Sequence, residues 1–377
     1  MTAYDAAIIG GGVAGPALAI HLARAGRRVV LFEKEKGAHD KVCGEFISQE
    51  GVCYLKELGV SPGELGSVPI RHVRLARHGE PVTANLPFEA QSLSRRVLDE
   101  TLLQLAAAAG AEIRRGHRVT DIEKGNDAWT VHLDGVESVE AKQAFLATGK
   151  LDLKGFKRTR GQHPECIAFK TYWRLKDTEA AELAQHVELI LFPGGYAGLQ
   201  EVEGGRANLC LIVRNTAYAE KYRSWEALLD AMQEHCPHLK KRLDGAISLM
   251  DKPLAISGMP YGHVAWESGG VWRVGDQAAT IPSFTGDGIS IAMHSARRAA
   301  HAFLKDKSSE IYQRTLAQQL SSQLYRATVI SRMLVSETGQ SLAITSAGIF
   351  PYVLPASAGL TRIPSRALDD LREGSGA

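Results

Sequence analysis

Apolar residues fall along this chain in two patterns. Near both ends they form short unbroken runs beside apolar helical stretches, and between them they alternate with polar residues. Tyr4 to Ile9 is a short run suited to a strand buried on both faces. Val13 to Ala25 is alanine-rich and reads as a helix, with Ala19 on its sheet-facing side and Gly26 closing it. Arg28 to Phe32 reads as a second strand, ending at Glu33. Ala144-Phe145-Leu146 and Val271 to Val274 are further strand candidates, and Ile289 to Phe303 is an apolar helix. Strand-like alternation marks Ile70 to His78, Ile167 to Leu175 and Val187 to Phe192. Gly198 to Val213 reads as a hairpin turning at Gly204-Gly205. From Lys305 onward the chain reads as helical.

Between the first strand and the first helix lies Gly10-x-Gly12-x-x-Gly15. Gly10 and Gly12 permit a tight turn and a close backbone approach to a pyrophosphate, and Gly15 permits close packing of helix on strand. The helix start, with Val13 and Ala14, offers N–H groups and a positive dipole end to phosphate. Glu33, with Lys34 beside it, follows Gly10 by 23 residues, near the spacing of an acid that binds ribose hydroxyls. This motif predicts a dinucleotide without separating FAD from NAD(P).

A second motif makes that separation. Gly275-Asp276 ends a strand, where a carboxylate can accept hydrogen bonds from the polyol hydroxyls of a ribityl chain. Pro282-x-x-x-Gly286-Asp287-Gly288 then leads, through Ile289, into the apolar helix. Glycines there let backbone press against a flat ring, and a helix start stabilises negative charge that develops on it. With these residues the chain resembles the FAD-dependent family of aromatic-ring hydroxylases (group A flavoprotein monooxygenases) and geranylgeranyl reductases, over roughly its first 300 residues. The resemblance implies that Gly275 and Asp276 hold the ribityl chain. It also implies that Pro282, Gly286, Asp287, Gly288 and Ile289 lie beside the isoalloxazine. Ser94-Arg95-x-x-Leu98-Asp99 looks like the family's Arg-x-x-Leu-Asp signature, which would set Arg95 near the diphosphate. Ala147-Thr148-Gly149 looks like the return of the chain to the first motif, and Val119 would lie on the adenine side.

Lys41-Val42-Cys43-Gly44-Glu45 follows the second strand. In the family this loop approaches the flavin, and Cys43-Gly44 matches a pair found in geranylgeranyl reductases. Lys41, Cys43 and Gly44 are therefore cofactor-site candidates. Cys43 is also a candidate thiol at the reaction centre, and Glu45 a candidate proton donor should burial raise its pKa. Cys43 could equally be a small residue where the backbone passes the ring. The hydroxylases' Asp-Gly pair after Ala-Thr-Gly is replaced by Lys150-Leu151-Asp152-Leu153-Lys154-Gly155, which weakens the expectation of standard NADPH handling. The Trp-x-Trp-x-Ile-Pro run of flavin halogenases is absent, which disfavours halogenation. Phe192-Pro193-Gly194-Gly195-Tyr196-Ala197-Gly198 is a loose match to the reductases' aromatic substrate motif.

Composition narrows the partners. A chain of 377 residues with net charge +2 gives no reason to expect nucleic acid. Five cysteines without paired spacing suggest neither a disulfide framework nor a zinc site. The N-terminus reads as a core strand rather than a signal peptide, so a cytoplasmic protein is expected. The basic stretch Lys150 to Arg160 suits a solvated loop, or contact with a phosphate or acidic partner. His294 is expected to pack within its helix beside the cofactor domain. Thr338 to Thr361 carries no charged residue. Its prolines and polar residues break it as a transmembrane helix, leaving a C-terminal cap, a membrane-surface contact or a lipid entrance.

The expected architecture is α/β. A Rossmann-like FAD-binding domain (1–66, 93–150 and 262–305) interleaves with an antiparallel-sheet substrate domain (67–92 and 151–261), and C-terminal helices follow (306–377). The expected activity is an FAD-dependent monooxygenase hydroxylating an apolar or aromatic small molecule, with NAD(P)H as donor. The alternatives are a geranylgeranyl-reductase-like ene-reductase and, in another class, a non-redox prenyl-binding module.

Overall fold

The computed structural model of the chain describes residues 4–159, 161, 163, 165–364 and 367–368. Two sheets carry the fold. In the first, the strand order is Glu112–Arg115, Val29–Glu33, Tyr4–Ile9, Val136–Leu146, Trp129–Leu133 and Val119–Lys124, with Trp272–Arg273 also paired to Val136–Leu146. Pairing is parallel up to Val136–Leu146 and antiparallel beyond it. Tyr4–Ile9 and Val29–Glu33 are largely apolar because both their faces are covered, whereas the edge strand Glu112–Arg115 is polar. Ile8 and Leu31 face the helices Ala14–Arg24, Arg95–Ala108 and Gly288–Leu304, while Ile9, Val30 and Phe32 bury with Trp129 and Val131.

Two glycines set the crossing of first strand and first helix. Gly10 has φ +116°, and a Cβ there would stand 2.3 Å from the Ala147 carbonyl oxygen. A Cβ on Gly15 would stand 2.0 Å from the Gly10 oxygen. The Ala147 N–H donates to the Ile9 oxygen at 2.9 Å, so the Ala-Thr-Gly turn comes back onto the glycine loop.

The second sheet has nine strands, largely antiparallel, including Cys166–Arg174, Arg206–Arg214, Gly195–Val202, His186–Phe192, Val68–Ala76 and Val82–Ser92. The expected hairpin turns at Gly204 (φ +72°) and Gly205 (φ +68°). Strand alternation gives the sheet two uses. Phe169, Leu199, Leu209 and Leu211 pack toward the helices Trp225–His235 and Pro237–Leu243. Ala168, Tyr196, Gly198, Cys210 and Ile212 turn to a cavity between the sheets. Val82–Ser92 is absent from the strands expected from sequence. Pro87 lies inside it, and its outward positions are exposed, as suits a strand near an edge.

The C-terminal region forms the helices Ser309–Leu334, Glu337–Ile349 and Val353–Leu360. Among the described residues, no single helix is long and apolar enough to cross a membrane.

A charged cluster anchors the helices to the second sheet. Fully buried Glu188 meets Arg74 at 2.5 Å, His238 at 2.9 Å and Arg242 at 3.1 Å. Burial opposes ionisation, but His238 and Arg242 outweigh it and hold the carboxyl down at about 2. Glu188→Ala would leave the fully buried Arg242 short of one acidic partner, and we expect a loss of about 3–5 kcal/mol in urea unfolding. In the parent this contribution is complete above the ordinary value of 4.5 and fades as pH falls toward about 2. A loss below about 1 kcal/mol would contradict a buried, mutually dependent cluster.

Candidate active site

The cavity between the sheets has a volume of about 260 Å³. Gly12, Val13, Ala14 and Arg95 line one end. The helix Ala14–Arg24 has no side-chain cap and no acid in its first turn, so its leading N–H groups lack a side-chain partner. A Cβ on Gly12 would lie 3.2 Å from the Arg95 guanidinium and 3.6 Å from Lys41 Nζ. Both cations hold Asp99, Arg95 by two bonds of 2.7 and 2.8 Å and Lys41 by one of 2.8 Å. Burial works against the Asp99 charge, but Arg95 and Lys41 together keep its pKa below the usual range. Two cations share one carboxylate, so a positive charge remains facing a helix start. That suits a diphosphate.

Gly275 and Asp276 line the middle, and Gly286, Gly288 and Ile289 continue the wall. The helix Gly288–Leu304 likewise starts with no side-chain cap and no acid in its first turn. Gly44 and Gly288 have no atom within 4 Å of where a Cβ would stand, so their backbones are open enough for a flat ring to approach. Two uncapped helix starts, a cationic end and open glycine backbone fit FAD. The group would bring redox chemistry to the middle of the cavity.

The loop holding Cys43, Gly44 and Glu45 closes the opposite wall. Glu45 is fully buried and has φ +61°, a conformation non-glycine residues adopt at a cost of order 1–3 kcal/mol. Its carboxylate accepts from Lys170 Nζ at 2.5 Å, from the Tyr172 hydroxyl at 2.8 Å and from the Arg95 N–H at 2.8 Å. The Asn208 amide donates to the carbonyls of Cys43 and Gly44, at 3.1 and 3.0 Å. The Glu45 N–H donates to Cys43 Sγ at 3.3 Å. Burial pushes the Glu45 carboxyl up and Lys170 only partly restores it, so the pKa is raised.

Ala147 and Gly149 also line the cavity, whereas Gly10, Gly15, Glu33, Lys34, Val119, Thr148, Pro282 and Asp287 lie around it without lining it. Gly10 and Gly15 form the turn beneath it. Glu33 stays beside the glycine loop, its oxygens accepting from the N–H groups of Gly11 and Glu35 at 2.8 and 2.9 Å. Lys34 pairs with Glu35 at 3.6 Å, Val119 sits in a hydrophobic core, and Thr148 donates to the Leu151 oxygen. Pro282 leads the flavin-side loop. Asp287 turns its side chain away from the cavity: the carboxylate meets Ser48, Gln323 and Arg362. The basic stretch is not a simple solvated loop. The Arg158 side chain is buried and bonds to Asp152 and to the Lys150 and Asp276 oxygens, Lys150 reaches the Val42 oxygen, and Arg160 lies outside the described residues. His294 bonds to Tyr54 at 2.7 Å and Gln319 at 3.1 Å, as a packed helix histidine does.

Sequence reasoning missed Lys170, Tyr172 and Asn208. One signal was present: a lysine inside the apolar strand Cys166–Arg174 demands a buried acid. The partner, 125 residues earlier, was out of reach of local pattern.

Beyond the loop the cavity becomes apolar, with Val73, Leu86, Phe88, Val187, Leu189 and Leu354 on its walls. Tyr196, from the loosely matching aromatic run, also lines it and bonds to Ser283 and Ser331, each at 3.3 Å.

Residues 4–201 match the profile of the pyridine nucleotide-disulphide oxidoreductase family, more than half of the chain. The chain belongs to this family, within the FAD-dependent oxidoreductases. It is 26% identical to menaquinone reductase of Mycolicibacterium smegmatis over 79% of this chain and 76% of that protein. It is 28% identical to digeranylgeranylglycerophospholipid reductase 2 of Methanopyrus kandleri over 81% and 79%. A match to squalene monooxygenase of Candida glabrata is 35% identical but covers 23% of this chain and 18% of that one. Among solved structures, a flavin-dependent brominase superposes with TM-score 0.80 at 18% identity, covering 99% of this chain and 98% of that one, a likeness of fold.

Two glycine variants separate cradle from scaffold. Gly12→Val meets only flexible side-chain ends, so it should fold and melt within a few degrees of the parent but purify without the flavin's visible absorbance. Gly10→Val meets backbone and should lose stability outright. Full flavin occupancy in folded Gly12→Val would contradict the diphosphate site.

Proposed function

We propose that the protein is an FAD-dependent reductase that saturates a carbon–carbon double bond in an isoprenoid-like, apolar substrate. The observation carrying this reading is a buried hydrogen-bonded network, Glu45–Lys170–Tyr172, whose Glu45 lines the same cavity as the apolar walls. Hydroxylation of an apolar or aromatic compound is the first expectation from sequence. Menaquinone reductase and digeranylgeranylglycerophospholipid reductase 2 each match over about four fifths of the chain, whereas the squalene monooxygenase match is confined to 89 residues.

Bound FAD, once reduced by NAD(P)H or another donor, supplies the hydride. The protein supplies the rest. Val73, Leu86, Phe88 and Leu189 exclude water and accept an alkenyl chain. Glu45, its pKa raised by burial, delivers a proton to the second carbon of the double bond. Lys170 and Tyr172 hold its oxygens in place, and a proton from solvent restores it afterward. Hydride and proton together account for both atoms gained. The proposed FAD contacts are Gly12, Val13, Ala14, Lys41 and Arg95 at the diphosphate, Gly275 and Asp276 at the ribityl chain, and Cys43, Gly44, Gly286, Gly288 and Ile289 at the ring.

Glu45→Gln tests the proton role. Protein that retains FAD should reduce alkene about 10²–10⁴-fold more slowly, with the rate of flavin reduction by its donor unchanged. Activity should lose the limb of its pH profile that falls as the raised carboxyl ionises with increasing pH. Cys43→Ala should stay within a few-fold of the parent, since the thiol accepts from the Glu45 N–H and from Arg95 while the proton in this reading comes from Glu45. An unaltered Glu45→Gln rate would remove the carboxyl from the reaction.

A further inference from the structure

The helix Val353–Leu360 is apolar and uncharged, yet none of its residues is buried. Leu354, Ser357 and Ala358 line the cavity, while Val353, Gly359 and Leu360 are exposed. The helix is thus a thin wall between the apolar chamber and the outside. The exposure continues on its neighbours. Ile349 is 63% exposed and Tyr352 66%, with Phe350 between them. On the helix Ser309–Leu334, Tyr325, Val329 and Met333 are exposed at four-residue spacing, which places them on one face. The Arg326 guanidinium donates to the Leu360 oxygen at 2.9 Å and ties that helix to the wall. Exposed Arg332 adds a second cation beside Met333.

We infer that this C-terminal face docks on an anionic lipid bilayer and opens the cavity toward its acyl region. The helices Glu337–Ile349 and Val353–Leu360 bend by 120°. At 1.5 Å per residue their arms reach about 20 and 12 Å, short of a hydrocarbon core of about 30 Å. Such a pair lies in the interface rather than spanning it. Tyr352 and Phe350 have the character of interfacial anchors, and Arg326 and Arg332 complement anionic headgroups. The chain from Thr338 to Thr361 carries no charge to oppose insertion. A bilayer also holds the apolar chains that the chamber fits, so the surface continues the path of the substrate. This last argument rests on the proposed reductase reading; the docking surface itself does not.

Flotation of the FAD-loaded full chain with phosphatidylcholine–phosphatidylglycerol vesicles tests the inference. The parent should float with the vesicles, and more weakly as salt rises. The variant Ile349→Ser/Phe350→Ser/Tyr352→Ser should lose about tenfold or more of its partitioning. It should keep its flavin spectrum, its melting temperature and its activity on a short, water-soluble alkene. In Tyr352→Trp, brominated lipid should quench the new indole. A parent that stays in solution at every lipid composition would overturn the proposal, as would a triple variant that floats equally well. So would a parent dimer that the triple variant dissolves, since the face would then join two copies. Loss of alkene reduction in both proteins, with floating intact in the parent, would count against the reductase reading alone.

Discussion

The structure turns on one carboxylate. Glu45 accepts an N–H from the start of the helix Arg95–Ala108 and two bonds from the strand Cys166–Arg174. The first partner belongs to the helices that pack on the parallel sheet, and the other two to the second sheet. One buried group therefore ties both layers together at the wall of the cavity they enclose. A buried carboxylate must be matched by donors or it becomes very costly. Here that need fixes the loop, including a left-handed backbone at Glu45 itself. The strain offsets part of the gain, and it keeps Cys43 and Gly44 in the wall.

The site grades in polarity along its length. At one end, two cations and an uncapped helix start suit a diphosphate. In the middle, open glycine backbones and a second uncapped helix start suit a flat ring that gains negative charge. At the other end, aliphatic and aromatic side chains suit a substrate with nothing to hydrogen-bond. Glu45, held by Lys170 and Tyr172, lies in the wall of this cavity, where the proposed reduction needs a proton and the exclusion of water.

The cofactor half was legible because glycine spacing is local. Gly10, Gly12 and Gly15 answer to one turn, and their contacts with Ala147 and with each other follow from strand–turn–helix geometry. The hairpin at Gly204-Gly205 and the alternating strands were legible for the same reason. The half proposed to donate the proton was less so. Glu45 could be nominated, but its partners Lys170 and Tyr172 come from a strand more than 120 residues away. Asp287 shows the converse: its motif position suggested the ring, while Ser48, Gln323 and Arg362 from three separate segments claim its side chain. Arg158 read as a solvated cation because local charge says nothing about the carbonyls that enclose it.

What the cavity does to a double bond decides between reductase and monooxygenase. Mass spectrometry of a polyprenyl substrate after turnover, with and without oxygen, answers this directly. The account predicts a product heavier by two hydrogens, formed equally well without oxygen. A product heavier by one oxygen atom, formed only in its presence, would contradict it and return the protein to the monooxygenases.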